Sequence, residues 1–376
     1  MFSVDLALKS LLHDKLKFAI TVAGVAFAVT LVFVQVGLFL GIMHNASVTI
    51  HHIDADLWVT SKNTPNIDFS HTFPETFVNR VRTVPGVQRA DNLIVWFAQV
   101  ALPTGAQEGT ELYALEDFNR WNIPWRVEGG RVEDLRRGDY IMMDHSATKR
   151  FGAFAVGDYR EINGHRMKII GRTRDALSFT TTPLIFVDYE KAQKLNELLR
   201  NRTTYVLVKL EPGADRAAVM EEIQRRLPYN DVYTRADWAE RSRAYWIKNT
   251  GLGLNMAMTV FLGCLVGIVV VAQTLYSSTM EHIKEFGTVK AIGGSNADIY
   301  AILGKQASIA AIAGYIVGAA LSYGMAPLVS KVDLKLIIPN ELAIAVFFGA
   351  LIMCLLAAMI SFRKVAGIDP ALVFRG

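Results

Sequence analysis

Apolar residues along this chain gather into four long blocks, and the charged residues lie between and beside them. No Asp, Glu, Lys or Arg occurs between Lys17 and Asp54, and residues 18–43 (FAITVAGVAFAVTLVFVQVGLFLGIM) are almost wholly apolar. A helix needs about 20 such residues to cross a bilayer core. A second uncharged stretch separates Lys248 from Glu281, with its apolar centre at 254–276. A third block occupies 299–326, with Lys305 near its start, and a fourth occupies 342–362 after a short loop at 327–341. The pattern predicts four transmembrane helices. A cleaved signal peptide explains the first block poorly, because the block is about twice as long as an ordinary signal core and no small-x-small cleavage site follows it. Residues 1–17 set Val4, Leu8, Leu11, Leu12 and Leu16 against Asp5, Lys9, Asp14 and Lys17, the pattern of a helix lying on the membrane surface.

Residues 44–250 read differently. DLWVT at 56–60 alternates like a strand, 73–87 reads as a helix ended by Pro-Gly, and 93–102 (LIVWFAQVAL) reads as a buried strand. DYIMMD at 139–144 is a further strand, and Asn163-Gly164 is the turn of a hairpin. Residues 204–228 combine a strand, a Pro-Gly turn and an amphipathic helix. The expected fold is therefore an α-helical membrane protein with four transmembrane helices and a large α/β domain inserted between helices one and two. No strong breaker lies at 45–54 or at 236–253. Both flanking membrane helices are expected to project outward as stalks.

Charge sharpens this division. The insert carries 28 basic and 27 acidic residues, so it is nearly neutral and a nucleic-acid partner is not expected. The flanks 1–17, 277–298 and 363–376 together hold eight Lys or Arg, whereas the 327–341 loop holds two. By the positive-inside rule both termini, and the 277–298 segment, are expected in the cytoplasm. The insert is then expected on the periplasmic side of a bacterial inner membrane. Cys264 and Cys354 have no partner at metal-ligand or redox spacing.

Motifs for chemistry fail in informative ways. Gly304-Lys305 lacks the other residues of a phosphate-binding loop, and no HExxH or GxSxG motif occurs. No catalytic or metal site is expected, and the acidic residues of the insert read as solvated surface. His44, His51, His52 and His71 cluster in sequence without a carboxylate at ligand spacing. Three small-residue motifs, Gly37-x-x-x-Gly41, Gly263-x-x-x-Gly267 and Gly314-x-x-x-Gly318, predict close helix packing. Trp238, Tyr245 and Trp246 fit either an interfacial anchor or packing between stalks. The segment between helices two and three places Glu281, Lys284, Glu285 and Lys290 around Ile283, Phe286, Val289 and Ile292 and ends at Gly293-Gly294. It reads as a short amphipathic helix with a glycine cap.

At this segment, Glu285-Phe286-Gly287-Thr288-Val289-Lys290-Ala291-Ile292-Gly293 resembles the permease superfamily of MacB, FtsX, LolC and LolE, the type VII or mechanotransmission ABC transporters. The topology and the basic end Arg363-Lys364 through Asp369-Pro370 are similar to that superfamily too, and the resemblance covers essentially the whole chain. GVAFAVTLVFVQVGL in the first span and DADLWVTSKN after it most resemble the DevC branch. The resemblance implies a permease that binds no cofactor itself. A separate cytoplasmic ABC ATPase would use ATP and Mg and dock on Glu281, Lys284, Glu285, Phe286, Gly287, Lys290 and Gly293. A second permease copy, a periplasmic adaptor (membrane fusion protein) and an outer-membrane duct would complete an exporter embedded in membrane lipids. The alternative within the superfamily is an FtsX-like regulatory scaffold that moves a periplasmic partner enzyme and transports nothing. Lipid, glycolipid, peptide and drug remain equal as substrates.

Overall fold

The computed structural model describes residues 14–180, 182–281, 283, 288, 295–331 and 334–365. The first helix, α1 (Lys15–His52), is unbroken over 38 residues, about 57 Å at 1.5 Å per residue. The chain divides into two units: residues 42–252, and residues 1–41 with 253–376.

The 42–252 unit is built on one sheet. Its strands are β1 (Leu57–Ser61), β2 (Phe73–Pro74), β3 (Val87–Ala101), β4 (Gln107–Leu115), β5 (Tyr140–Asp144), β6 (Tyr159–Ile162), β7 (His165–Thr173), β8 (Leu184–Asp188), β9 (Arg202–Thr203), β10 (Tyr205–Leu210) and β11 (Asn230–Thr234). Nine of them form the order β11-β1-β10-β3-β4-β8-β5-β7-β6, while β2 and β9 pair separately. Strand β3 joins the halves: Val87 to Leu93 pair with β10, and Leu93 to Ala101 pair with β4. The hairpin between β6 and β7 turns at Asn163 and Gly164, both at positive φ, where glycine avoids the Cβ clash.

Helices α2 (Phe77–Arg82), α3 (Ala147–Phe151), α4 (Tyr189–Leu195), α5 (Arg216–Arg226) and α6 (Arg235–Asn249) cover the sheet. Three cores result. Val78 and Val81 of α2 and Val219 and Ile223 of α5 bury against Leu57, Val59, Val206 and Val208. Phe151 of α3 and Tyr189 and Ala192 of α4 bury against β3 to β8. Val48 and Ile50 of α1, and Trp238 and Ala239 of α6, join Trp58, Tyr113 and Tyr205.

Two elements depart from the sequence-based expectation. Residues 73–87 do not begin as a helix: Phe73 and Pro74 pair with Thr203 and Arg202, and only Phe77–Arg82 are helical. The second stalk is also interrupted. α6 stops at Asn249, Gly251 takes φ +65°, and α7 (Leu252–Glu281) starts afresh. The Thr250 hydroxyl donates to the Trp246 carbonyl and occupies one of the acceptors freed at the helix end. The stretch 236–253 conceals this break because it holds no proline and a single glycine at a C-terminal position is enough to end a helix.

In the other unit α7, α8 (Asn296–Ser330) and α9 (Asn340–Val365) accompany the first part of α1. α8 opens with a capping box, in which Ser295 accepts from the Asp298 amide and Asp298 accepts from the Ser295 amide at 2.8 Å. Its buried face includes Ile299, Ile302, Leu303, Gln306, Ala307, Ala310, Gly314 and Gly318. Ile312, Ile316, Val317 and Leu321 lie on the exposed face, as expected of a helix bathed partly in lipid. Small side chains dominate the shared core, including Ala28, Ala307, Ala311, Ala350, Ala357 and Ala358.

Candidate functional site

The geometry of the bundle is set by where helix backbones approach. A Cβ built on Gly24 falls 2.7 Å from Val270, one on Gly263 falls 2.9 Å from Leu31, and one on Gly267 falls 3.0 Å from Ala28 and Met353. On α8, a Cβ on Gly314 meets Val25 at 2.5 Å, and one on Gly318 meets Val29 and the Ala26 carbonyl at 2.8 Å. Thr30 donates to the Gly318 carbonyl at 3.2 Å. α1 is thus wedged between α7 and α8 through glycines, which permit the approach that any side chain would block. The 334–339 segment closes on α1 as well: Ile337 donates to the Gly37 carbonyl at 3.1 Å, and a Cβ on Gly41 would meet the Lys335 carbonyl oxygen at 1.8 Å. All six motif glycines therefore face partners within their own chain. Gly24 escaped the GxxxG pattern because its partner position is Ala28, the same small-x-x-x-small spacing with a methyl added.

At the Lys17 end of the bundle, Lys17 pairs with Glu281 of α7 and lies 3.9 Å from Asp14. Glu281 alone among the expected coupling residues is described. Lys284, Glu285, Phe286, Gly287, Lys290 and Gly293 lie outside the described residues, as do residues 1–13 and 366–376 of the two terminal segments.

A second constellation lies in the 42–252 unit, where the end of α1 meets α6. Arg243 donates to the Ser47 hydroxyl at 3.2 Å and lies 3.5 Å from His51 Nε2. Burial and the Arg243 charge lower the His51 pKa. Trp238 and Trp246 are buried, with Trp246 stacked on Phe179 at 3.8 Å; for these two the packing reading replaces the interfacial one. The loop between β1 and β2 is clamped here too. Arg241 donates to the Thr64 carbonyl at 3.2 Å, the Ile67 amide donates to Ser242 at 3.2 Å, and Tyr205 donates to the Ile67 carbonyl at 2.9 Å.

The histidines do not converge. His52 stacks on Trp125 at 4.1 Å, His51 faces Arg243, and His44 and His71 are exposed. No group of three or more His, Cys, Asp or Glu placed to hold a metal occurs among the described residues.

Not every acidic residue of the insert is solvated surface. Asp91 is buried and accepts from Trp121 Nε1 at 2.9 Å and Arg82 at 3.0 Å. Asp144 accepts from Ser146, Thr173 and the Ala176 amide, and burial raises its pKa. Asp68 and Glu111 are buried together. One signal was available in sequence: Glu111 runs directly into the apolar stretch Leu112, Tyr113, Ala114 and Leu115, the pattern of a strand buried on both faces.

Four apolar helices of spanning length, with an α/β domain between the first and second, define a multi-pass membrane protein. Residues 18–226 match the MacB-like periplasmic core domain, and residues 257–370 match the FtsX-like permease C-terminal domain. The first match alone spans more than half of the chain, and the chain belongs to this MacB- and FtsX-like family of ABC transporter permeases. It is 26% identical over 368 residues to an uncharacterized ABC transporter permease of Mycobacterium tuberculosis, covering 96% of each chain. A second such permease of that organism is 25% identical over 378 residues, covering 98% of this chain and 99% of the relative. The crystallised periplasmic region of MacB from Actinobacillus actinomycetemcomitans is similar over 53% of this chain and 96% of its own, at 12% identity and a TM-score of 0.40.

Proposed function

We propose that this permease is the membrane subunit of an ATP-driven exporter that passes the motion of a separate ATPase through the bilayer to its outer domain. The observation that carries the reading is α1, one continuous helix from Lys15 to His52 that is wedged by glycines in the bundle and rooted by Val48 and Ile50 in the outer core. An unbroken helix is stiff along its axis, so displacement at one end reaches the other. In this reading the protein lies in a bacterial inner membrane with both termini in the cytoplasm. The ATPase, with its ATP and Mg, docks on the 277–298 segment. Two permease copies act together, and a periplasmic adaptor and outer-membrane duct receive the substrate. In this reading the chain belongs to the DevC branch of the family.

Purification from a mild detergent tests this directly. Recovery of an ABC ATPase and an adaptor with the chain is the expected result, and a chain that brings down no ATPase overturns the proposal. Recovery of a cell-wall hydrolase in place of an adaptor would move the function to the FtsX-like scaffold. Glu285→Lys should lower ATP-dependent function about 5- to 150-fold, the range of a typical coupling energy between sites. Unchanged function would remove the coupling role from this residue.

A further inference from the structure

Glu111 sits in the middle of β4, wholly buried, and neither of its carboxyl oxygens meets a donor among the described residues. Its contact is Asp68, only 6% exposed, close enough for a hydrogen bond between the side chains. Two touching carboxylates in an apolar core cannot both stay ionised, because each charge is desolvated and each repels the other. A proton between them converts the repulsion into a hydrogen bond. The surroundings offer no substitute for it. β4 contributes Tyr113, β10 contributes Tyr205, α1 contributes Thr49, α6 contributes Trp246, and no cationic side chain is among the groups acting on the pair.

Polarity within the pair is also legible. Asp68 already accepts from Trp246 Nε1 at 3.1 Å and from Asn66 Nδ2 at 3.4 Å, so it is the better acceptor and Glu111 the natural donor. We infer that Asp68 and Glu111 form a proton-binding site in the outer domain, one proton shared between the two carboxyls keeping Trp246 of α6 seated in the core. Burial pushes Asp68 up to about 6 and Glu111 further above its usual range. Tyr113 and Tyr205, raised by burial and by the two carboxyls, stay neutral throughout. Loss of the proton leaves two negative charges beneath Trp246, which then gives up its seat against Phe179. Trp246 stands six residues before Leu252, where α7 begins, so the site sits on the segment leading into a membrane helix. The inference does not depend on the transport reading.

Infrared spectroscopy of the full chain in deuterated buffer near pH 7 reads the proton itself. The expected result is the carbonyl stretch of a buried protonated carboxyl, lost in Glu111→Gln. Its absence from the unmodified protein overturns the proposal whether or not the variant folds. Thermal unfolding followed by tryptophan emission supplies the second readout. The unmodified chain should lose about 5 °C or more in Tm between about pH 5 and pH 9, and Glu111→Gln, whose amide donates permanently to Asp68, should flatten that slope. An identical slope in both proteins also overturns it.

Discussion

The two units of the chain satisfy their buried polar groups by opposite means. In the membrane bundle most of the described hydroxyls bond to the backbone of their own helix one turn back, while Thr30 and Tyr315 reach the Gly318 and Ala343 carbonyls of neighbouring helices. Thr21 donates to the Lys17 carbonyl at 2.8 Å, Ser308 to Gly304 at 2.8 Å, Thr279 to Leu275 at 2.6 Å and Ser322 to Gly318 at 2.7 Å. In the outer domain the partners are remote. Asp91 is held by Arg82 and Trp121, and Thr203 reaches Leu93 at 3.0 Å, 110 residues away in sequence. Lipid offers no hydrogen bonds, so a membrane helix is safest when each segment is self-sufficient. A sheet has already spent its backbone groups on the ladder, and its side chains must find donors across the fold. The bundle therefore depends on close approach, and the outer domain on long-range polar networks.

Substitutions that fill space should strike the bundle hardest. Gly41→Val places a side chain into the Lys335 carbonyl, and backbone cannot yield as a flexible side chain can. A loss of about 3 kcal/mol is expected, at the upper end of overpacking effects, measurable as a fall in the detergent unfolding midpoint. If Gly41→Val is as stable as the parent, the 334–339 segment does not rest on α1 and close approach does not govern the bundle.

The next effect belongs to the outer domain and to pH. Asp68 binds a proton more tightly when folded than when unfolded, so over the window from about pH 4 to 6 the native state holds more protons. Stability from this group is complete below that window and falls as pH rises through it, on the order of 2–3 kcal/mol. Asp68→Asn should reduce the slope over this window to the part that Glu111 contributes, measured in a titration of unfolding free energy. A slope left unchanged by the substitution would show that the Asp68 carboxyl is solvated.

Removing Arg82 tests the network with a smaller effect. Arg82→Ala leaves Asp91 buried with Trp121 and a more distant Arg120, and a loss of about 1–2 kcal/mol is expected because the arginine is itself partly exposed. Ser295→Ala breaks the capping box of α8 and should cost about 1 kcal/mol. Lys17→Gln is the mildest, a few tenths of a kcal/mol in stability, because Glu281 is 57% exposed. A large effect of Lys17→Gln on ATP-dependent function with little change in stability would mark that ion pair as part of the coupling path.

Much of this architecture was legible in the residue order because its causes are local. Spans need only length and the absence of charge, glycine pairs need only four-residue spacing, and the Asn163-Gly164 turn needs only backbone freedom. The break at Gly251 was missed because a single glycine in a stretch without proline reads as a tolerated helix position. The buried acids were missed because the acidic and basic residues of the insert nearly balance, and only the apolar run 112–115 that follows Glu111 in β4 separates it from the surface acids. Half of the 277–298 segment, with six of the seven expected coupling residues, lies outside the described residues.

Sequence by itself determined the four spans, the inserted α/β domain and the family, since these rest on hydropathy and short-range spacing. Tertiary structure alone decided that the glycines of α7 and α8 receive α1, that α6 and the end of α1 share one core, and that Asp68 meets Glu111. The physical reason is the same in each case. Which surfaces meet depends on the packing of segments far apart in the chain, and proximity of that kind leaves no periodic trace in the order of residues.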